Sequence, residues 1–286
     1  MRGGPATLIA VAFALAGAAR ADAPAWDPAV EPVALPDYLV TLAGGVVTLG
    51  ANVLPVLSPG PSQRVDFDER ARGVFRLKSL TAEAAVRSAS DASVSALMAW
   101  PLAIDAALDA GWVRKNPKVA WRMAAVDLEA FAITGTAQGL SGLLLNRERP
   151  YGQDCGGLVP ADDRNCADPQ IRYRSFYSGH AAFAFTSAAL ICSHHVRLKL
   201  FGGGAAEAAT CAVGFVVAAA TSVFRMMGDM HYASDVLTGV VMGTLVGFLV
   251  PALHEYFGAA QLEAKPLPLQ VRVVPNGAGL SVVGAW

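Results

Sequence analysis

Three short stretches in the second half of the chain carry residue types suited to one kind of chemistry. In order they are Asn146-Arg147-Glu148-Arg149-Pro150, then Ser178-Gly179-His180, then Arg225 with His231 six residues on and Asp235 four further. Together they bring two or three guanidiniums, a Ser-Gly turn, two imidazoles and a carboxylate. Guanidinium forks grip phosphate oxygens in pairs and stay charged at any physiological pH. Histidine serves near neutrality as nucleophile or as proton donor. The set suits holding a phosphate group and attacking it with a histidine.

Each stretch implies a place on an element. His231 and Asp235, four residues apart, share one face of a helix, so the carboxylate can hold one ring nitrogen as N–H. The other nitrogen is then free to attack phosphorus. Arg225 would fall about 240° round the same continuous helix, away from that face. Gly228-Asp229 therefore marks an expected break, with Arg225 ending one helix and His231 opening the next. Ser178-Gly179-His180 precedes the apolar run Ala181 to Leu190 and is expected at a helix N-terminus, where amides and the helix dipole favour an anion. Gly179 permits close approach of the main chain, and His180 is placed to protonate a leaving oxygen. Pro150 stops the helix predicted over 119–145 and presents Arg149 at its end. Arg147 is a further candidate for the same pocket.

These three stretches resemble the type 2 phosphatidic acid phosphatase superfamily, which also contains bacterial acid phosphatases and vanadium haloperoxidases. Its pattern is a Lys, six residues, then Arg-Pro; a Pro-Ser-Gly-His; and a Ser-Arg, five residues, His, three residues, Asp. The chain keeps Arg149-Pro150, Ser178-Gly179-His180, Arg225, His231 and Asp235 in that order and at those spacings. It departs at Gly142, where the Lys should stand, at Tyr177 in place of Pro, and at Phe224 in place of Ser. Arg147, Arg172 and Arg174 are the arginines near enough in sequence to make good the missing charge.

The resemblance implies a phosphatase that hydrolyses phosphate monoesters without metal or cofactor, through a phosphohistidine on His231. His180 and Asp235 complete the catalytic set; Arg149, Ser178, Gly179 and Arg225, with Arg147 as an additional candidate, hold the phosphate. The partner is then a phosphorylated lipid or a small phosphate ester. The alternatives are a soluble periplasmic acid phosphatase of broad specificity, a vanadium-dependent haloperoxidase, or a helical membrane protein whose site has decayed.

The rest of the chain sets the frame. It has 286 residues, a formal net charge of -1, 54% hydrophobic residues and 16% charged ones. Near-neutral charge offers no basic face for nucleic acid. The apolar excess points to an all-α, membrane-type bundle of about five to six apolar helices. Apolar segments lie near 38–57, 91–110, 119–145, 180–200, 205–225 and 233–253. The first, with Gly44-Gly45, Asn52 and Pro55, is expected not to cross fully. Asp105, Asp109, Asp127 and Glu129 must face the interior of such a bundle, since ionisable groups are costly in lipid. His194, His195, Arg197 and Lys199 read as a basic helix end.

Arg2, the run Ala6 to Ala18 and Ala19-Arg20-Ala21 read as an export signal with its cleavage site. The organisation expected is a signal peptide at 1–21, a proline-rich linker and apolar segment at 22–66, a helical phosphatase domain at 67–258 and a tail at 259–286. In the tail, Val271 to Val274 and Leu280 to Val283 flank Asn276-Gly277 and suggest a short β-hairpin. Export makes Cys155–Cys166 a natural disulfide, closing twelve residues for roughly 3 kcal/mol. Cys192 and Cys211, in apolar helices, read as small buried hydrophobes. Basic residues Arg114, Lys115, Lys118, Arg122, Arg197 and Lys199 occupy the loops opposite the motifs. The positive-inside rule then places the site on the outer face of a bacterial-type inner membrane, or the protein in the periplasm.

Overall fold

The structure, a computed structural model, describes residues 33–55 and 65–254, together with the backbone of 270–276 and 279–285. The expected signal at 1–21, most of the proline-rich linker and Gly277 of the expected turn lie outside the described residues. Seven helices of ten residues or more carry the described core. They are α1 (Leu35–Val53), α2 (Asp66–Phe75), α3 (Leu80–Ala99), α4 (Pro117–Leu145), α5 (Gly179–Leu198), α6 (Ala205–Met227) and α7 (Ala233–Leu253). A π-helical segment, Trp100–Val113, prolongs α3 without a break. In the tail, the backbones of β1 (Gln270–Asn276) and β2 (Gly279–Ala285) pair antiparallel, with Gln270 opposite Ala285 and Asn276 opposite Gly279.

Local chemistry sets the helix ends. Asn116 caps α4 by accepting from Val119 N–H, and Pro117 fills the first position, where a missing N–H costs nothing. Asn146 in the left-handed region ends that helix, and Lys199 ends α5 the same way. Ser79 caps α3, so this helix begins eleven residues before the expected apolar segment at 91. Its first turns carry Glu83, Arg87, Ser90 and Asp91, polar residues that face protein partners and hide the helix from an apolar pattern.

The long helices alternate in direction. α1, in the segment expected not to cross fully, runs along α4. Tyr38 accepts from Trp121 at 2.9 Å, Gly44 meets Ala132, Thr48 meets Gly135 and Ala51 meets Gly139. α7 packs on α5, and α5 on α6. On α7 the glycines at 239, 243 and 247 form a stripe against the carbonyls of Ser178, Ala182 and Thr186, where any side chain would collide with backbone. Small residues at this spacing let two helices approach closely. The opposite face of α7 presents Leu237, Val241, Leu245, Leu249 and Leu253, each more than half exposed. An apolar stripe of that length marks contact with lipid or with another protein. Among the described residues, three helical stretches are long and apolar enough to cross a membrane: Leu80–Val113, Ala205–Met227 and Ala233–Leu253.

The inward acids are paired. Buried His194 lies between Asp105 and Asp127, and buried His195 between Asp105 and Glu207. These two histidines therefore belong to a buried ionic cluster, not to the basic helix end that the sequence suggested. Asp109 pairs with Arg114, and Glu129 with His254. Cys192 and Cys211 also depart from expectation. Their sulfurs are 1.95 Å apart, joining α5 to α6 where Gly214 rests on Ala188. Small side chains bring the two backbones near enough for the pair to form. Cys155 and Cys166 stand at bonding distance too, 1.98 Å.

Candidate active site

The three motifs meet at one end of the bundle. Gly228 terminates α6 and Asp229 takes a positive φ of 57°, so the chain turns before α7 begins at Ala233. This is the break anticipated between Arg225 and His231, and it lets both side chains point into one space. The turn is held from outside. Arg72 of α2 grips Asp229 through two bonds of 2.7 Å, and Arg87 of α3 bonds the Gly228 carbonyl at 2.6 Å. Paired guanidinium–carboxylate contacts of this kind fix geometry as well as charge.

His231 is buried and its Nδ1 lies 2.7 Å from the Ser175 carbonyl. A carbonyl only accepts, so Nδ1 carries the proton and the Nε2 lone pair is the free one. Burial holds the imidazole pKa down at about 3, with the nearby Arg149 and Arg225 charges acting in the same direction. The ring is therefore neutral, the form that attacks. Asp235 does not bond this ring directly, as the spacing alone suggested. Its nearest oxygen is 3.9 Å from Nδ1. It accepts instead from Ser175 Oγ at 2.6 Å, from Tyr232 N–H at 2.9 Å and from Arg147. Asp235 thus fixes the segment whose carbonyl orients His231, acting one residue removed.

A cavity of about 360 Å³ lies beside His231, with Arg149, Arg174, Arg225, His180 and Gly179 in its wall. Thr48 and Asn52 of α1, Gln138 of α4, and Val94, Met98 and Phe183 complete it. The guanidinium of Arg149 is buried, and among the described residues it meets no carboxylate; Nη1 touches Met230 Sδ at 3.9 Å and Nε has no partner. Burial lowers its pKa accordingly. A buried cation in this state is strongly favoured by an anion entering beside it. Arg225 bonds Ser90 Oγ and Asp91 Oδ1, both at 3.1 Å. The same Asp91 oxygen lies 2.6 Å from His180 Nε2.

Arg147 and Ser178 are placed differently from expectation. Arg147 does not line the cavity. It bonds Asp68 at 2.7 Å, Ser234 at 2.8 Å and Asp235, and stacks over the Tyr232 ring at 4.3 Å. Burial alone would lower its pKa, but the Asp235 and Asp68 carboxylates raise it instead. Its partners are Asp68, Ser234 and Asp235, so it braces the start of α7 and does not line the cavity. Ser178 is wholly buried and its Oγ accepts from Ala181 N–H, as a helix cap does. Gly179 and His180, which lead α5, line the cavity, and the amides of a helix's first turn have no intrahelical acceptor. Arg172 is also turned away, bonded to Glu148 at 2.8 Å.

Three residues of the site were not singled out from sequence. Ser175 acts through its carbonyl, which no residue pattern reveals. Asp68 and Asp91 lie 163 and 140 residues before His231, and only the packing of α2 and α3 against the motifs brings them in. Two exposed-looking acids in a polar stretch carried no other signal.

Comparison with curated proteins and with solved structures found no match. The family model described as PAP2 superfamily matches residues 126–259, a stretch that contains all three motifs. The cavity, the buried histidine and the uncompensated arginines sit within or against that stretch, which is similar to the PAP2 superfamily.

Proposed function

We propose that this protein is a phosphatase of phosphate monoesters that works through a phosphohistidine at His231, with lipid phosphates as its substrates. One observation carries the reading: the Nδ1 proton of His231 is committed to the Ser175 carbonyl, which leaves Nε2 beside a cavity ringed by Arg149, Arg174 and Arg225. In the first step the Nε2 lone pair forms an N–P bond as the P–O bond to the alcohol breaks. Burial and the Arg225 charge lower the His180 pKa to about 4; the anionic substrate raises it again, so His180 takes the proton that a substrate monoanion brings in and hands it to the departing oxygen. The arginines and the amides at the start of α5 stabilise the charge on the transferring group. In the second step water attacks phosphorus, gives its proton to His180, and the N–P bond breaks to release phosphate. Val94, Met98 and Phe183 give the cavity an apolar wall, which favours an ester carrying a hydrocarbon chain.

We further propose that the site faces the outside of a bacterial inner membrane. The opposite end carries the basic loops, where Arg114 bonds the Leu200 carbonyl beside Lys199, and such loops remain cytoplasmic. The test is trapping of the phosphoenzyme by rapid denaturation in alkaline detergent from a radiolabelled phosphatidic acid, with glucose 6-phosphate as comparison. Wild type should accumulate an acid-labile phosphoprotein and His231→Ala should not. Equal labelling of the variant would remove His231 as nucleophile, and preference for the sugar phosphate would overturn the lipid assignment.

A further inference from the structure

Arg174 is a cavity residue that no motif claims. It sits in the segment between the cysteine loop and α5 and is 9% exposed. Its Cβ and Cγ lie over Gly142: a Cβ built on Gly142 would stand 3.9 Å from each of them. Among the described residues its guanidinium meets no carboxylate within ion-pair distance. One nitrogen, Nη2, bonds the Leu54 carbonyl at 2.6 Å, and Nε is buried without a partner. The cavity wall includes it alongside Arg149 and Arg225.

Position 142 is where the motif pattern of the superfamily has a lysine and this chain has none. A side chain at 142 would start in van der Waals contact with the Arg174 stem. We infer that Arg174 is the third phosphate-binding cation of the site, entering from the loop before α5 to supply the charge that Gly142 lacks. This rests on the phosphatase reading. With Arg174 laid over α4, a lysine at 142 would compete with it for the same approach to the cavity. Burial, which lowers the Arg174 pKa, adds to its demand for an anion. The other two arginines nearby are excluded by their partners, Arg147 by Asp68 and Asp235, Arg172 by Glu148.

Four variants test this: Arg174→Gln, Arg174→Lys, Gly142→Lys, and the double variant Gly142→Lys with Arg174→Ala. Readouts are kcat/KM, the inhibition constant of orthovanadate, and thermal stability. Loss of one charge-assisted contact corresponds to about a 10- to 100-fold effect. Arg174→Gln should lower kcat/KM and weaken orthovanadate by that factor, and Arg174→Lys should recover part of both. Gly142→Lys alone should be neutral or harmful, whereas in the double variant it should restore orthovanadate binding relative to Arg174→Gln. A purely structural Arg174, pinning the end of α1 through Leu54, would lower stability yet leave the orthovanadate constant of the folded fraction unchanged. That result, or a double variant with no recovery, would overturn the inference. Calorimetric binding of orthovanadate to His231→Ala carrying the same changes reads Arg174 without turnover, so failure of the phosphatase reading is seen separately.

Discussion

Replacing Arg147 separates bracing from phosphate binding. Arg147 neutralises two carboxylates, Asp68 and Asp235, each wholly buried. In Arg147→Met, Asp68 keeps bonds from Ser234 N–H and Oγ, and Asp235 keeps those from Ser175 Oγ and Tyr232 N–H. What is lost is the countercharge and the stacking over Tyr232. Removing one partner of a buried ion pair typically costs about 3–5 kcal/mol. For a domain of this size each kcal/mol moves Tm by about 2–4 °C, so a fall on the order of 6–20 °C is expected. The kinetic signature should be a lower kcat, since Asp235 fixes the Ser175 carbonyl that orients His231, with little change in orthovanadate inhibition. Arg149→Ala should do the reverse: weaker orthovanadate binding by about 10- to 100-fold and little loss of stability, because that cation has no carboxylate to abandon. Adding Asp68→Asn to Arg147→Met should recover part of the lost Tm by removing one stranded charge. Scanning calorimetry and steady-state kinetics on detergent-solubilised protein measure both quantities. If Arg147→Met left Tm within about a degree of wild type and instead weakened orthovanadate as Arg149→Ala does, the assignment of Arg147 behind the site would be wrong.

Further outcomes follow from the same geometry. His231 titrates at about 3 when folded against about 6.5 unfolded, so its contribution to stability is present above pH ~6.5 and is lost as pH falls toward 3. His231→Gln should therefore show a flatter decline of Tm with acid than wild type, and a parallel decline would refute it. Gly243→Leu should force α7 off the Ala182 carbonyl and abolish activity through the Ser178 turn, whereas Val241→Leu, on the exposed face, should be silent in both activity and Tm. Reducing Cys155–Cys166, or changing both to Ser, should cost roughly 3 kcal/mol by the loop length alone; an unaltered Tm would count against that bond.

The sequence by itself determined the chemistry and the local frame. His231 and Arg225 could share a cavity only if Gly228-Asp229 broke the helix, because a 3.6-residue repeat puts six residues on opposite faces. Ser178 before an apolar run marks the start of a helix. These are short-range constraints, written within a few residues. What only the tertiary structure decided is which polar side chains face which. In sequence Arg147 was the additional candidate phosphate ligand and Arg174 one of three arginines near enough to supply the missing charge, yet Arg147 is drawn behind the site by two buried carboxylates from α2 and α7, while Arg174 lines the cavity beside Gly142. Asp235 lies one turn from His231, yet bonds Ser175, because the chain entering α5 brings a carbonyl closer to the ring than the carboxylate can reach. Cys192 and Cys211 join because α5 and α6 approach over small residues. Spacing along a helix fixes direction to within one element; the partner at the end of that direction is supplied by another element, and the packing of separate helices chooses it.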